Sequence, residues 1–519
     1  MDLLKKFFSG NRSRGFFSGV KKCFIKKKSE ILKIAAIISL LCLVAFLVEY
    51  FGFGRSFNQY RFLLILAIET LIAFFALMRS KIGEKPEIGF LAIALICGSL
   101  LSISEPKKFV NWDEQIHYKN AEKISLALLG GPSRPNTTPA SYSLAEQQKI
   151  NVEIDNQYKK AKVKSRDFSE VFSYGKIAYF PSSLALMLGE LLHLPYHVIF
   201  VLGRCINLAA YSLIVYFALR KLKTGKMIMA VVALFPTAIF LASNYNYDSW
   251  VTAFTMLGLA YFFAEIQEPE KKLTTKNAVI MLGAFLIGLG PKPIYFPLMF
   301  LLFLIPMKKF ASSGQYKKFI LATAFSIFFV VGSFLLPFLL GGSGGDDHRG
   351  GAGVNSAQQV HFIFSQPFAY AKTLSNFMVG YVNPLNAGGF VSFFAYLGMT
   401  KGFWLWLLLL ALVVFLDRNQ YDEKMSGWKM KLWMIGVYLA TVSLICTALY
   451  VSFTPVASNT IAGVQPRYLI PLVFPLLIVV ANSRFRNPFN KNFFNSLIFA
   501  TASALLLFGI WDLTIRFYH

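Results

Sequence analysis

Acidic residues are scarce in this chain, and so is charge of either sign. Of 519 residues only 26 are Asp or Glu, against 52 Lys or Arg, and charged residues make up 15% of a sequence that is 55% hydrophobic. So little charge in so much apolar sequence excludes a disordered chain and an ordinary water-soluble enzyme. Cysteine is thin as well. Cys23 lies in a basic N-terminal stretch, and Cys42, Cys97, Cys205 and Cys446 lie inside apolar runs. A disulfide framework needs paired cysteines in polar loops and a zinc site needs close ligand spacing, and neither pattern occurs.

What the sequence does have is a succession of apolar runs long enough to cross a bilayer. They fall near 31–51, 61–78, 88–104, 197–219, 226–243, 248–266, 277–290, 293–306, 318–340, 402–417, 432–453, 466–482 and 494–514. They predict an all-α polytopic membrane protein with about thirteen transmembrane helices. The two runs flanking "GPKP" are short and need tilt or local bilayer thinning to cross. The net charge of +26 has a simple source. With the N-terminus inside, "RSKIGEKPE", "RKLKTGK", "QEPEKKLTTK", "MKKFASSGQYKK", "DRNQYDEKMSGWKMK" and "NSRFRNPFNKN" all fall on the cytoplasmic side, and each carries several cations. Cytoplasmic loops collect Lys and Arg, so the positive charge reads as membrane orientation and not as a nucleic-acid surface.

The domain reading follows from that alternation. Residues 1–30 form a basic cytoplasmic N-terminal arm suited to anionic lipid, and 31–519 form a single transmembrane domain ending outside. Within it, 105–195 is a large extracytoplasmic loop. Its apolar piece at 180–193 lies at the interface, because a full crossing there would put every later basic loop outside. A second extracytoplasmic, Gly-rich loop covers 341–400.

The polar residues that need explaining then gather on the outer face. "FVNWDEQIHYKNAEKIS" begins the large loop and brings Asp113, Glu114 and His117 together. On a helix His117 falls one turn after Asp113, where it can steer a carboxylate base. Asn246 and Asp248 sit in the outer turn "SNYNYDSW", Lys292 in "PKP", and Arg467 and Tyr468 in "QPRYLIP". Lys292 and Arg467 suit a lipid phosphate. Arg204 lies inside a span and needs a partner or water. "DDHR" at Asp346, Asp347, His348 and Arg349 has metal-binding residue types but sits in a glycine tract, and no metal is expected. Taken singly each group also has a structural reading: a solvated helix start, a snorkelling arginine, a polar turn. Their joint placement on one face is what points to chemistry.

The layout resembles the GT-C superfamily of integral-membrane glycosyltransferases, with "WDEQIHY" similar to the Asp-Glu motif of protein O-mannosyltransferases. Those enzymes place the histidine three residues after the Asp, and here the spacing is four. The chain resembles more closely a bacterial family of predicted membrane proteins without assigned function, through Asp113-Glu114-x-x-His117-Tyr118, "YFPSSLALMLGELLHLP", Gly203-Arg204-x-x-Asn207, the turn from Pro236 to Asn246 and Asp248, Lys292-Pro293 and Arg467-Tyr468. The resemblance implies a GT-C-like fold in a bacterial plasma membrane. It also implies an inverting transfer from a polyprenyl-phosphate sugar to a cell-envelope glycan or lipid-linked acceptor. Asp113, Glu114 and His117 would be catalytic, and Lys292, Arg467, Tyr468, Arg204, Asn246 and Asp248 would bind substrate or lipid phosphate. No cofactor beyond the lipid-linked donor and no nucleic-acid partner is expected, and the sequence does not fix an oligomeric state. The alternatives are a flippase for a lipid-linked glycan and a non-catalytic partner in an envelope-polymer assembly.

The orientation is testable by cysteine labelling in intact cells. Positions near 222, 270 and 312 should be protected and positions near 150, 345 and 460 reactive. Reactivity at 222 from outside would mean that 180–193 crosses the membrane.

Overall fold

The computed structural model describes residues 33, 35–105, 110–129, 171, 173–339, 353–383, 387–417, 427–481, 487 and 489–518. The basic arm, the Gly-rich run with Asp346 to Arg349 and most of the large loop's polar middle lie outside the described residues. Among the described residues the fold is helical, and the only β pairing is an isolated bridge between Phe393 and Met399. Eight helices there are long and apolar enough to cross a membrane: Ala35–Gly52, Gln59–Met78, Pro86–Ser104, Tyr196–Lys221, Asp248–Gln267, Ser313–Leu336, Trp428–Ser452 and Lys491–Ile515. Shorter apolar helices are Thr275–Leu289, Pro293–Leu304, Phe403–Leu416 and Pro466–Val479.

The chain divides into two compact units, Met1–Ala73 and Phe74–His519. In the first, Glu49 is fully buried and accepts hydrogen bonds from Arg61 Nε at 3.0 Å and Nη2 at 2.8 Å. Asn58 accepts from the backbone N–H groups of Tyr60 and Arg61 and so starts the second helix of that hairpin.

In the second unit three expectations change in detail. The run at 226–243 is not one span but two helices, Lys226–Ala233 and Pro236–Ala242. Pro236 lacks an amide hydrogen and forces Phe235 into an extended conformation (φ −49°, ψ 136°), so the first helix cannot continue through it. Every residue from Met227 to Asn246 is buried, which places this broken segment in the core. The second run beyond "GPKP" winds as a 3₁₀ helix, Pro293–Leu304. Pro297, inside the run, removes an amide donor that an α-helix would use, and a 12-residue 3₁₀ run is long for that geometry. Within 341–400, read as a Gly-rich loop, two helices form at Ser356–Ser365 and Pro367–Tyr381. Asn355 caps the first by accepting from Gln358 N–H at 2.9 Å, and Pro367 opens the second.

The stretch at 180–193 folds as the helix Phe180–Leu191, 12 residues or about 18 Å, too short for a hydrocarbon core of about 30 Å. It packs on Glu114–Leu129 and Tyr196–Lys221. Gly203 makes a close approach possible: a Cβ there would meet the Tyr245 hydroxyl at 2.0 Å. That hydroxyl donates to the Phe200 carbonyl at 3.0 Å, holding the turn after Ala242 against the Tyr196–Lys221 helix.

Polar residues of this unit sort into two groups. One joins the loops read as cytoplasmic: Lys226 to Glu87 at 3.3 Å, Lys309 to Glu265 at 2.8 Å, Lys221 to Glu265 at 3.7 Å, the Met227 amide to Asp417 at 3.2 Å, and the Gly83 amide to Asn492 at 2.7 Å. The other joins segments read as extracytoplasmic and holds the candidate site.

Candidate functional site

The site starts from the short segment Val110–Asp113. Asp113 has φ +58°, the left-handed region that Asp tolerates better than most residues. Its carbonyl accepts from the amides of Ile116 at 2.8 Å and His117 at 3.1 Å, so the turn leads directly into the helix Glu114–Leu129. The reversal sends three consecutive side chains to three sets of partners.

Glu114 is buried and bound on both oxygens. Arg204 donates from Nε to Oε1 at 3.0 Å and from Nη2 to Oε2 at 3.1 Å. The amides of Val110 and Asn111 donate to Oε2 at 3.0 and 3.4 Å, and the Tyr245 amide to Oε1 at 3.4 Å. Arg204 also lies 3.4 Å from Glu105 Oε2, and Asn244 donates to Glu105 Oε1 at 3.2 Å. Arg204 is fully buried, and its guanidinium covers the Phe200 ring at 4.7 Å. Two carboxylates share one buried guanidinium. Burial raises the Glu105 carboxyl well above the usual range, Arg204 opposing and Glu114 assisting by repulsion. This accounts for the cation inside a span, and it commits both Glu114 and Arg204 to holding the site together.

Trp112 takes a second direction. Its ring lies under the Arg467 guanidinium at 4.3 Å and stacks on Phe393 at 5.6 Å. Arg467 reaches Asp248 Oδ2 at 2.8 Å, and Lys292 donates to Asp248 Oδ1 at 3.0 Å. The Lys292 ammonium sits 3.4 Å from the centroid of the Tyr468 ring. Asn246 accepts from the Asp248 amide and thereby fixes the first turn of the helix Asp248–Gln267. Tyr295 donates to the Tyr468 carbonyl at 2.8 Å, tying the 3₁₀ segment to the turn that carries Arg467.

Asp113 takes the third direction, within electrostatic reach of His117, Lys292, Arg467 and Tyr468. His117 shares a 2.8 Å hydrogen bond between Nδ1 and the Tyr179 hydroxyl, and the edge of its ring meets Tyr247 at 4.7 Å. Burial lowers the imidazole to about 4, with Arg467 and Lys292 assisting and Asp248 and Asp113 opposing. His117 is therefore neutral at physiological pH. Burial likewise lowers Lys292 to about 8, Asp248 opposing and Arg467 assisting. Lys292 is charged below that pH and loses its proton as pH rises through it.

One feature of this cluster is incomplete. Arg467 is 4% exposed, yet among the described residues its Nε and Nη1 have no hydrogen-bond acceptor; the contact with Asp248 is one of charge and not of aligned N–H. The amides of Asn111 and Asn246, also buried, keep unsatisfied Nδ2 donors. Buried donors without acceptors are costly and rare. The unused donors of Arg467 lie beside a second cation, Lys292, since both reach Asp248, and this suits an anionic group.

All nine residues singled out from the sequence thus lie in one of two adjoining networks. Asp113, His117, Asn246, Asp248, Lys292, Arg467 and Tyr468 share the cation cluster, and Glu114 and Arg204 form the support beside it. Sequence reading passed over Glu105, Trp112, Tyr179 and Tyr247. Glu105 had a usable signal, since an arginine within a span requires an acid and Glu105 ends a neighbouring span. The aromatic residues had none beyond proximity to the motifs.

A family model described as a predicted membrane protein (DUF2142) matches residues 95–476, which include every one of these side chains. No curated protein and no solved structure matches the chain.

Removing Arg204 tests the support network. Arg204→Met should destabilise the protein by on the order of 3–5 kcal/mol, because a carboxylate is left buried without a partner. Glu105→Gln should cost far less, since Arg204 meets Glu105 only at 3.4 Å and its hydrogen bonds go to Glu114. Thermal unfolding of the purified protein in detergent measures both.

Proposed function

Since the chain belongs to this family of predicted membrane proteins, whose description stops at the membrane, we propose its activity from the site: an inverting glycosyltransferase of the GT-C kind. It moves a sugar from a polyprenyl-phosphate donor to a cell-envelope glycan or similar acceptor on the extracytoplasmic side of the plasma membrane. The observation that carries this reading is the buried Arg467 guanidinium, with two donors unsatisfied, beside Lys292. Lys292 and Arg467 offer two cations to the negative charge of a phosphodiester between lipid and sugar, with Asp248 already paired to both.

The proposed reaction uses the groups as they stand. The acceptor hydroxyl oxygen attacks the anomeric carbon from the face opposite the phosphate, and Asp113 takes its proton. The bond from the anomeric carbon to the phosphate oxygen breaks, and its electron pair stays on the phosphate. Lys292 and Arg467 stabilise the charge that develops there. Asp248 orients both cations and, being paired with them, is a poor base. Neutral His117 supports the acceptor side by hydrogen bonding. Glu114 does not touch the reactants; it fixes the turn on which Asp113 sits.

Two measurements test the reading. Purified protein in nanodiscs, supplied with a panel of polyprenyl-phosphate sugars and envelope-glycan acceptors, should transfer or hydrolyse at least one donor. Asp113→Asn, nearly isosteric, should lose about 10²–10⁴-fold of that rate at unchanged abundance. Full activity of Asp113→Asn would end the assignment, and movement of lipid-linked glycan without transfer would point to the flippase instead.

The second measurement is donor binding against pH. Binding should weaken as pH rises through about 8, where Lys292 loses its charge, and His117, already neutral above about 4, should add no second limb in that range. Lys292→Arg should remove the alkaline limb. A pH-independent affinity between 7 and 9.5 in the unmodified protein would contradict the role of Lys292.

A further inference from the structure

Beside the cation cluster lies a concavity of about 450 Å³, lined by Asn376, Phe377, Gly380, Tyr381, Asn459 and Thr460. Its volume falls within the roughly 300–1,000 Å³ usual for small-molecule sites. None of the lining residues is charged. They offer two carboxamides, a hydroxyl and a pair of aromatic rings, Phe377 and Tyr381, stacked at 5.8 Å and 24°. Gly380 leaves the space next to the rings open, since a Cβ there would meet nothing within 4 Å.

Both walls are held in place. The helix Pro367–Tyr381 packs on Trp428–Ser452, where Ser443 contacts Met378 sulfur at 3.4 Å. The opposite wall is pinned at three points: the Ala457 amide donates to Gln359 Oε1 at 2.9 Å, Tyr450 donates to the Ser458 carbonyl at 2.8 Å, and the Ala462 amide donates to Thr454 Oγ1 at 3.0 Å. The floor leads to the cluster already described. Tyr381 donates to the Gln465 carbonyl at 2.9 Å, two residues before Arg467, and lies within electrostatic reach of Arg467 and Tyr468. With its hydroxyl engaged, Tyr381 presents its ring to the concavity.

We infer that this concavity is a subsite for a neutral saccharide, the glycan acceptor of the transfer reaction, an assignment that rests on the reading of the cation cluster as the donor site. The chemistry of the lining selects the ligand. Sugar C–H faces stack on aromatic rings, as apolar surface does, and carboxamides satisfy vicinal hydroxyls as both donor and acceptor. A phosphate, an acidic sugar or a charged peptide finds no countercharge among these residues. The positions of the two sites divide the substrates, with the anionic lipid-linked group on Lys292 and Arg467 and the neutral glycan over Phe377 and Tyr381.

The test is direct binding. The full-length protein in nanodiscs is titrated by saturation-transfer NMR and calorimetry with neutral oligosaccharides of several linkages, and in parallel with uronic-acid oligosaccharides and short peptides. At least one neutral oligosaccharide should bind. Phe377→Ala and Asn459→Ala should each weaken it about tenfold or more, with Phe377→Tyr retaining affinity, and none of the three should change binding of a polyprenyl phosphate. Asn459 is exposed, so its removal leaves the fold intact even where Phe377→Ala does not. Binding of no neutral oligosaccharide, preference for acidic sugars or peptides, or an affinity in Asn459→Ala and Phe377→Ala unchanged from the unmodified protein would each overturn the subsite. The two assignments fail separately: saccharide binding without any transfer removes the donor reading, and transfer that is indifferent to the Phe377 and Asn459 substitutions removes this one.

Discussion

An arginine placed inside a membrane helix must find a countercharge within the protein, and meeting that requirement at Arg204 organises the whole end of the larger unit that holds the candidate site. Its guanidinium draws in Glu114 from the start of one helix and Glu105 from the end of another. Glu114 in turn binds amides at Val110, Asn111 and Tyr245, so four separate stretches of chain converge on one buried charge. In a low-dielectric interior, removing one member of such a network is costly because it strands the others.

That support carries a second network. Asp248 joins Lys292 and Arg467, and aromatic rings from Trp112, Tyr247 and Tyr468 lie against the cations. Here the accounting does not close, because Arg467 keeps donors without acceptors. A densely bonded support beside a cation with unused donors is the pattern expected when rigid structure presents a binding site whose last partner is a ligand. The left-handed turn at Asp113 joins the two, and its backbone conformation is held by the hydrogen bonds that Glu114 makes around it. A residue in that region is a small store of strain that persists where the surroundings overdetermine it.

The helix breaks serve the same end. Pro236 divides the buried segment so that its second half stops at Ala242, just short of the turn that delivers Asn244, Asn246 and Asp248. Pro293 opens the 3₁₀ segment directly after Lys292, and Pro466 opens the turn that holds Arg467. Proline at the first helical position costs no hydrogen bond. It lets a polar residue sit at the point where the chain leaves the apolar region.

How much of this could be read from the residues alone follows from the range of each interaction. Hydropathy and charge alternation act locally, so the sequence by itself determined the membrane class, most of the apolar helices, the shortness of those flanking Pro291, and the gathering of Asp113, His117, Asp248, Lys292 and Arg467 on one side. It also required a partner for Arg204 without identifying which acid. Local signals misread 226–243 as a single span, because hydropathy averages over Pro236, and left 356–381 as loop, because those helices are too polar for a membrane window. The pairing of Glu114 and Glu105 with Arg204 spans 90 and 99 residues of sequence, and the stacking of Lys292 on Tyr468 spans 176. Contacts at such separations are set by helix packing in three dimensions, which no periodicity in the chain encodes, and only the tertiary structure decided them.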